Sequence, residues 1–224
     1  MKTCNERETN ITLPAMTVTD LQENQTMTST LTAIRIGPHD HGRHMSLTDF
    51  DEAEVEQGIQ VELGRGIIIV SEVPLPWHFR IIIALRRQLA AYDLQHPGRI
   101  WGIAGGSDCK LPVAEYDSER HPDLAVYLTE PPYQDSNAVW SEWIPELVIE
   151  VVSSGSETRD YTEKRDEYLA FGVREYWIVH PDRKEILVLR RMKGLWSEQT
   201  LTTNDSYSPH LLPGFTLNIA RVFE

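Results

Sequence analysis

The sequence predicts an α/β fold in which a mixed β-sheet is flanked by helices. Strand-like and helix-like segments alternate along most of the 224 residues, of which 41% are hydrophobic, enough for a substantial core. Two nearly continuous apolar runs, 146–152 and 175–180, lie on either side of one helical segment. Such runs are typical of strands covered on both faces. We therefore expect these strands to be parallel neighbours joined by a right-handed crossover.

Residues 1–44 are predicted to form a flexible polar leader, and residues 45–224 a single domain. The leader is rich in Thr, Asn, Ser and Gln and lacks sustained periodicity. Near its end, His39, His41 and His44 offer metal ligands, although histidines in a stretch that contains Gly and Pro are more often solvated.

The first half of the domain is predicted to contain two helices and a hairpin. A short acidic helix begins where Ser46 or Thr48 can cap it. The run 59–70 is an antiparallel hairpin whose turn is Gly64–Gly66. A long helix then spans about 77–94, and apolar residues at spacings of three and four define its buried face. Those residues are Ile81, Leu85, Gln88 or Leu89, and Tyr92.

The second half is predicted to consist mostly of strands, with one more helix. That helix spans about 158–171 and ends at Gly172, because glycine is the usual residue just after a helix C-terminus. A second hairpin joins 175–180 to 185–191. The other predicted strands lie near residues 100–104, 109–114, 123–128, 146–152 and 196–201.

The charge balance limits the partners that the protein can bind. Lys and Arg total 21 against 34 Asp and Glu, a formal charge of −13, which opposes undirected binding to nucleic acid or an anionic membrane. Two cysteines, Cys4 and Cys109, cannot build a disulfide framework, so we expect a cytoplasmic protein. The first 25 residues lack the apolar core of a signal peptide, and no apolar run is long enough for a membrane span.

Two carboxylates stand where apolar residues are expected. Glu150 interrupts a core strand and shares a face with Val148 and Val152. Burying it costs several kcal/mol unless a partner or a cation neutralises it. Asp123 opens the apolar run 124–128, and two acids at the ends of neighbouring strands make an oxygen site suited to Mg²⁺ or Mn²⁺. Alternatively, Asp123 caps a turn and an arginine neutralises Glu150.

A helical face adds a third charged group. Asp160, Lys164 and Tyr168 follow one another at intervals of four residues, so they lie on the same side of the predicted helix. One interpretation is an exposed Asp–Lys pair. The other is a lysine directed into the carboxylate site, where it would orient the attacking water or offset phosphate charge.

Several motifs together resemble the Uma-two family of putative restriction endonucleases, part of the PD-(D/E)XK nuclease superfamily. The main match is PELVIEVVSSGSETRDYTEKRDEYLAFGVREYWIVHPDRKEILVLRR at 145–191. Further matches are VELGRG at 61–66, His78, HPDLAV at 121–126 and YSPHLLPGFTL at 207–217, so the resemblance covers about residues 50–224. It implies a restriction-endonuclease-like core with additional β-hairpins.

The resemblance also implies roles for individual residues. Asp123 and Glu150 correspond to the two acids of the superfamily, and the backbone carbonyl of Val151 to an additional metal ligand. The superfamily lysine is expected two residues after the second acid, where this chain has Val152. The family supplies that lysine from the following helix, which implies Lys164.

Other positions matter less directly to the predicted chemistry. The resemblance implies that Glu62 adds a metal ligand through water, whereas the role of His78 at the start of the long helix stays open. Arg80 and Arg87, with His78, are candidates for substrate contact. Basic residues also cluster at Arg190, Arg191 and Lys193. The alternative interpretation is that both groups of basic residues are ordinary solvent-exposed faces without a binding role.

These inferences predict a Mg²⁺- or Mn²⁺-dependent DNA endonuclease that uses a metal-activated water. A second hypothesis is a catalytically idle relative that serves as an interaction or regulatory module, which the acidic balance favours. A third is a hydrolase acting on another phosphate ester. The apolar late strands could support a homodimer.

Overall fold

The structure, a computed structural model, describes residues 34–71, 75–134 and 136–224. The helices are α1 Leu47–Asp51, α2 Pro76–Gln95 and α3 Lys164–Phe171, and a π-helical turn, Arg159–Glu163, directly precedes α3. The strands are β1 Arg35–Ile36, β2 Glu54–Val55, β3 Gln60–Gly64, β4 Ile67–Ser71, β5 Gly102–Ala104, β6 Leu111–Val113, β7 Ser118–Arg120, β8 Leu124–Tyr127, β9 Leu147–Val151, β10 Glu175–His180, β11 Glu185–Met192, β12 Leu195–Thr202, β13 Ser206–Tyr207 and β14 Leu217–Asn218.

A six-stranded mixed sheet forms the centre of the fold, in the order β12-β11-β10-β9-β8-β5. Strands β9 and β10 are parallel, and Glu150 lies opposite Ile178. The remaining pairs in this sheet are antiparallel. The predicted mixed sheet and the predicted parallel pair are therefore confirmed, and the connection between the parallel strands contains α3, as expected for a strand–helix–strand unit.

A second sheet of four strands, in the order β4-β3-β7-β6, stands beside the first. Its β3–β4 hairpin is the predicted one, with Gly64 opposite Ile67 across the turn. The sequence did not predict β7 or its pairing with β3. This strand is short and polar, so neither alternation nor an apolar run marks it, although all three of its residues are buried.

Each face of the central sheet is covered by a helix. On one face, the predicted apolar side of α2 is buried, and Leu85 and Leu89 are completely inaccessible to solvent. On the other face, Tyr168 of α3 packs with Val148 and Tyr176. Since Glu150 points to the same side of β9 as Val148, the sheet directs this carboxylate towards α3.

The predicted helix boundaries are largely confirmed. Ser46 caps α1, since its Oγ accepts a hydrogen bond from the backbone nitrogen of Asp49 at 3.1 Å. Gly172 ends α3 in the left-handed conformation, with φ of 107°. The first turn of the third helix differs from an α-helix, because the backbone nitrogen of Lys164 donates to the carbonyl oxygen of Arg159, five residues earlier.

Residues 34–44, which the sequence assigns to the leader, belong to the same compact unit as residues 45–224. Ile36 is completely buried, and β1 pairs with β2. The predicted leader over residues 1–33 lies outside the described residues. Among the described ranges, no group of three or more His, Cys, Asp or Glu side chains is arranged to hold a metal ion, and His41 Nδ1 accepts a hydrogen bond from the backbone of Val70 at 3.1 Å. None of the described helices is long and apolar enough to cross a membrane.

Candidate active site

The two predicted acids, Asp123 and Glu150, lie next to each other at the ends of neighbouring strands. Asp123 immediately precedes β8, and its Oδ2 accepts a hydrogen bond from the backbone nitrogen of Val151 at 2.7 Å. Its own backbone nitrogen lies 3.5 Å from Glu150 Oε2. The chain after β5 packs tightly here, since a Cβ on Gly105 would lie 2.1 Å from the carbonyl oxygen of Asp123. Glycine at this position allows the close approach.

Glu150 is a buried carboxyl group held by two donors from the third helix. Its Oε1 accepts hydrogen bonds from Lys164 Nζ at 2.9 Å and from the Tyr168 hydroxyl at 2.5 Å. Burial raises the pKa of Glu150 to about 8; Lys164 opposes this shift, and the negative charge of Asp123 adds to it. Burial therefore disfavours the ionised form of this carboxyl group unless positive charge stabilises it.

Lys164 is enclosed by acids rather than by solvent. Besides Glu150, its Nζ lies 3.4 Å from Glu62 Oε1 and 3.6 Å from Asp160 Oδ1. Burial alone would lower the pKa of the lysine, but these three carboxylates outweigh burial and raise that pKa. The interpretation of Asp160 and Lys164 as an exposed pair is therefore wrong, because these residues are only 2% and 6% exposed. The structure instead directs the lysine at Glu150.

Glu62 reaches this cluster from β3 in the second sheet. Its Oε1 accepts a hydrogen bond from the backbone nitrogen of His121 at 3.1 Å, and its Oε2 lies 3.4 Å from Arg120 Nη1. Burial would raise the pKa of Glu62, but the charges of Lys164 and Arg120 lower it to about 2. Glu62 thus stays ionised. Its negative charge neutralises part of the positive charge of Lys164, so less of that positive charge is left to stabilise an ionised Glu150.

Arg120 is a member of the site that the sequence did not reveal. Its side chain is completely buried and forms two hydrogen bonds with Glu167, at 2.6 and 3.0 Å, and one with Glu163 at 3.2 Å. A Cβ on Gly64 would lie 2.8 Å from the guanidinium nitrogens of Arg120, so the glycine makes room for it. The sequence did offer one signal: Glu163 and Glu167 are four residues apart and so lie on the same face of the predicted helix. Neighbouring acids that become buried need a common positive partner.

His78 lies at the oxygens predicted to bind the metal. Its Nε2 is 2.9 Å from the carbonyl oxygen of Val151 and 3.3 Å from Asp123 Oδ2. Burial would lower the pKa of His78, but the hydrogen bond and the charge of Asp123 outweigh burial and raise it. His78 is 4% exposed, and its Nδ1 is buried without a hydrogen-bond partner among the described residues.

The candidate substrate-contact arginines lie apart from this cluster. Arg80 and Arg87 are exposed on α2, and neither forms an ion pair with any residue that the structure describes. No contact brings either side chain to Asp123 or Glu150. They therefore stay predictions about a surface of α2.

The donor set is chemically suited to a hard divalent cation. Glu62, Glu150 and Asp160 surround one lysine, and Asp123 lies beside Glu150. Burial raises the pKa of Glu150, and the negative charges of Asp123, Asp160 and Glu62 add to that shift. Mg²⁺ is typically held by one or two carboxylates together with water, so the adjacent Asp123 and Glu150 are a sufficient protein contribution. The carbonyl oxygen of Val151 contacts His78 Nε2 at 2.9 Å and keeps a second lone pair for another partner.

The chain thus has an α/β fold that places two adjacent acids, Asp123 and Glu150, at the ends of neighbouring strands. The Uma2 family model, described as "putative restriction endonuclease", matches residues 47–220, and the chain belongs to that family. A crystal structure of a putative nuclease belonging to DUF820 from Anabaena variabilis shares the fold, with a TM-score of 0.64 and 18% identity. The match covers 80% of this chain and 97% of that one. None of the curated proteins matches.

The buried Arg120–Glu167 pair should be essential for stability. We expect Arg120→Met to lower the free energy of unfolding by about 3–5 kcal/mol, because it leaves a buried carboxylate without its cation. Arg65→Met is the control, since Arg65 contacts the same Glu167 at 3.4 Å but its side chain is 41% exposed, and we expect a loss of at most ~1 kcal/mol. Urea unfolding measures both. Equal losses would contradict a specific role for Arg120.

The raised pKa of Glu150 predicts a pH-dependent effect of Glu150→Gln. A carboxyl group whose pKa rises from 4.5 to about 8 on folding destabilises the folded state progressively across that interval, because the unfolded chain releases its proton first. We therefore expect the stability of the variant, relative to wild type, to increase between pH 5 and pH 8, by at most about 1 kcal/mol per pH unit. Unfolding in EDTA at several pH values measures this difference. A relative stability that is constant with pH would contradict the raised pKa.

Proposed function

We propose that the protein is a Mg²⁺-dependent nuclease, also served by Mn²⁺, that hydrolyses phosphodiester bonds in DNA. The observation that carries the proposal is the buried Glu150, which lies beside Asp123 and accepts a hydrogen bond from Lys164. Membership of a family described as putative restriction endonuclease supports a phosphodiester as the substrate.

Asp123, Glu150 and the carbonyl of Val151 would hold the metal. A divalent cation held there would supply Lewis acidity towards the scissile phosphate and would lower the pKa of a bound water. Lys164, 2.9 Å from Glu150 Oε1, would orient the attacking water and offset the charge that develops on the phosphate. Tyr168 would fix the rotamer of Glu150 through its hydrogen bond.

His78 would position the two metal-binding groups that it contacts, the carboxylate of Asp123 and the carbonyl of Val151. Glu62 would act indirectly: it would hold Lys164 in place, and it would bind the metal through a water molecule. Neither residue needs to touch the substrate in these roles.

The substrate must approach an acidic protein. With a net charge of −13, we expect weak DNA affinity that falls steeply with salt, since only local positive groups can replace the counterions of the phosphates. Arg80 and Arg87 on α2 are the candidates for such contacts. A cytoplasmic location and a homodimer are further expectations.

A catalytically idle relative is the second candidate. One observation favours it: apart from His78 Nδ1, the main polar groups of the centre already have partners, since Lys164 and Tyr168 bind Glu150 and His78 Nε2 binds the carbonyl of Val151. A centre that satisfies its own hydrogen bonds can persist for structural reasons alone.

Metal binding separates these candidates without any assumption about the substrate. We expect calorimetric titration of Mn²⁺ to show saturable binding that Asp123→Ala abolishes, because the variant removes one of two adjacent carboxylates. Asp166→Ala is the control, since this acid is 53% exposed and contacts only Arg65 among the described ion pairs. Absence of binding to wild type, both alone and with an uncleavable phosphorothioate duplex, would favour the idle relative.

Cleavage assays then test the chemistry. We expect wild type with Mg²⁺ or Mn²⁺ to nick supercoiled or single-stranded circular DNA, and Lys164→Met to lower the rate at least ~100-fold, because a preorganised positive group is lost from the transition state. The exposed Asp166→Ala should retain the wild-type rate. Equal activity in wild type and Lys164→Met would indicate a contaminating nuclease. Saturable Mn²⁺ binding without DNA cleavage would redirect the search to other phosphate esters.

A further inference from the structure

An aromatic cavity lies at the edge of the central sheet that β5 forms. Its volume is about 310 Å³, at the lower end of the range of about 300–1,000 Å³ that is typical of ligand pockets. Besides the residues of β5, its lining consists of four aromatic residues and one acid. These are Trp101, Tyr127, Trp140, Trp143 and Asp108.

The edge strand leaves room for this cavity at Gly102. Gly102 is the first residue of β5 and lies opposite Tyr127 in the β5–β8 ladder, so both positions face the same side of the sheet. A Cβ on Gly102 would meet no atom of the described residues within 4 Å beyond its chain neighbours. The space beside Tyr127 is therefore not filled by a side chain from the edge strand.

The aromatic rings have fixed orientations. Trp143 stacks on Tyr127, with 3.8 Å between the ring centroids, and its Nε1 donates a hydrogen bond to the carbonyl oxygen of Thr129 at 3.0 Å. Trp101 stands almost perpendicular to Trp143, at 86°, and Trp140 is tilted from Trp143 by 37°. Tyr127 and Trp143 are nearly inaccessible to solvent. By contrast, Trp101 is 50% exposed and Trp140 is partly exposed, so these two rings offer surface to a ligand.

The charges around the cavity favour a cation. Asp108 is exposed and forms no ion pair with any residue that the structure describes. Neither lysine nor arginine is among the described residues that line the cavity. Lys110, two residues after Asp108, is already paired with Asp51 and Glu119. An anionic ligand would therefore meet an unpaired carboxylate here, in a chain whose net charge is −13.

The lining also indicates which kind of cation fits. Aromatic rings attract a cation to the negative face of their π-system, and tryptophan does so most strongly. A protonated amine would lose hydrogen bonds to water against such rings, whereas a quaternary ammonium group has no N–H that needs a partner. Rings at a steep angle, such as Trp101 and Trp143, also suit a compact group better than a flat base, which stacks parallel to a ring face.

We propose that this aromatic cavity binds a small molecule that carries a quaternary ammonium group. Trp101 and Trp140 contact the cation, and Asp108 offsets its charge. Tyr127 lies four residues beyond Asp123 along β8, which places it about 13 Å from that acid. The cavity does not need the metal of the acid cluster. The proposal therefore goes beyond the proposed nuclease function, and each of the two can fail without the other.

Titration of choline in EDTA tests the proposal, because the chelator keeps divalent cations away from the acid cluster. Calorimetry at constant ionic strength measures binding, and the matched probe is the uncharged analogue of choline in which carbon replaces the quaternary nitrogen. We expect saturable binding of choline, with a Kd at least ~10-fold lower than that of the uncharged analogue.

Two variants separate the ring from the charge. Trp101→Leu keeps an apolar side chain but removes the indole, and we expect it to raise the Kd of choline about fivefold or more. Asp108→Asn keeps the size of the side chain but removes its charge, and we expect a rise of about twofold to threefold, because the carboxylate is exposed. An unchanged thermal transition of each variant ensures that the fold is intact.

Trp77→Leu is the matched control, since Trp77 is 38% exposed and lies on α2, outside the cavity. Absence of saturable choline binding to wild type, an equal affinity for the uncharged analogue, or an equal loss in Trp77→Leu would overturn the proposal. Adenosine that binds more tightly than choline, and is lost in Trp101→Leu, would also overturn it, in favour of a base-stacking site. Tighter binding of a trimethyl-lysine peptide than of choline would do so in favour of a protein partner.

Discussion

The buried contact between Lys164 and Glu150 is the interaction on which the rest of the site depends. A carboxylate inside an apolar sheet is costly, and the cost is tolerated only if charged and polar partners reach it. Those partners come from α3, since Lys164 and the Tyr168 hydroxyl both donate to Glu150 Oε1. Lys164 in turn is held by Glu62 from β3, in the second sheet, at 3.4 Å. The charges therefore determine how these separate elements must be arranged around one point.

The π-helical turn is part of that arrangement. Its i→i+5 hydrogen bonding spreads one turn over more residues than in an α-helix, and such turns are frequent at functional sites. Asp160 lies inside the turn and Lys164 at its end, and both point inward, with Tyr168 following one α-helical turn later. The helix can thus supply a lysine to Glu150 although the strand itself carries Val152 at the nearest position. Arg120 then holds the outer side of the same helix to the second sheet through Glu163 and Glu167.

Much of the fold, and part of the site, was predictable from local pattern. Apolar runs and helical spacing identified the central strands, α2 and the β3–β4 hairpin, because periodicity records which face is buried. Glu150 was conspicuous because it breaks such a run. Arg120 was not conspicuous, because β7 contains only polar residues and shows no apolar pattern. Its burial depends on Glu62 and Glu167, which are more than forty residues away in sequence. Ile36 was not conspicuous either, because it is a single apolar residue in a segment without sustained periodicity, although its side chain is completely buried.

The charges around Glu150 bear on how a polyanion can approach. Three carboxylates, those of Glu62, Glu150 and Asp160, lie within 4.0 Å of the single ammonium group of Lys164. Burial raises the pKa of Glu150 to about 8, and although Lys164 opposes that shift, the nearby negative charges add to it. A phosphate that approached this cluster without a cation would therefore be repelled, so the proposed metal dependence agrees with the electrostatics of the site.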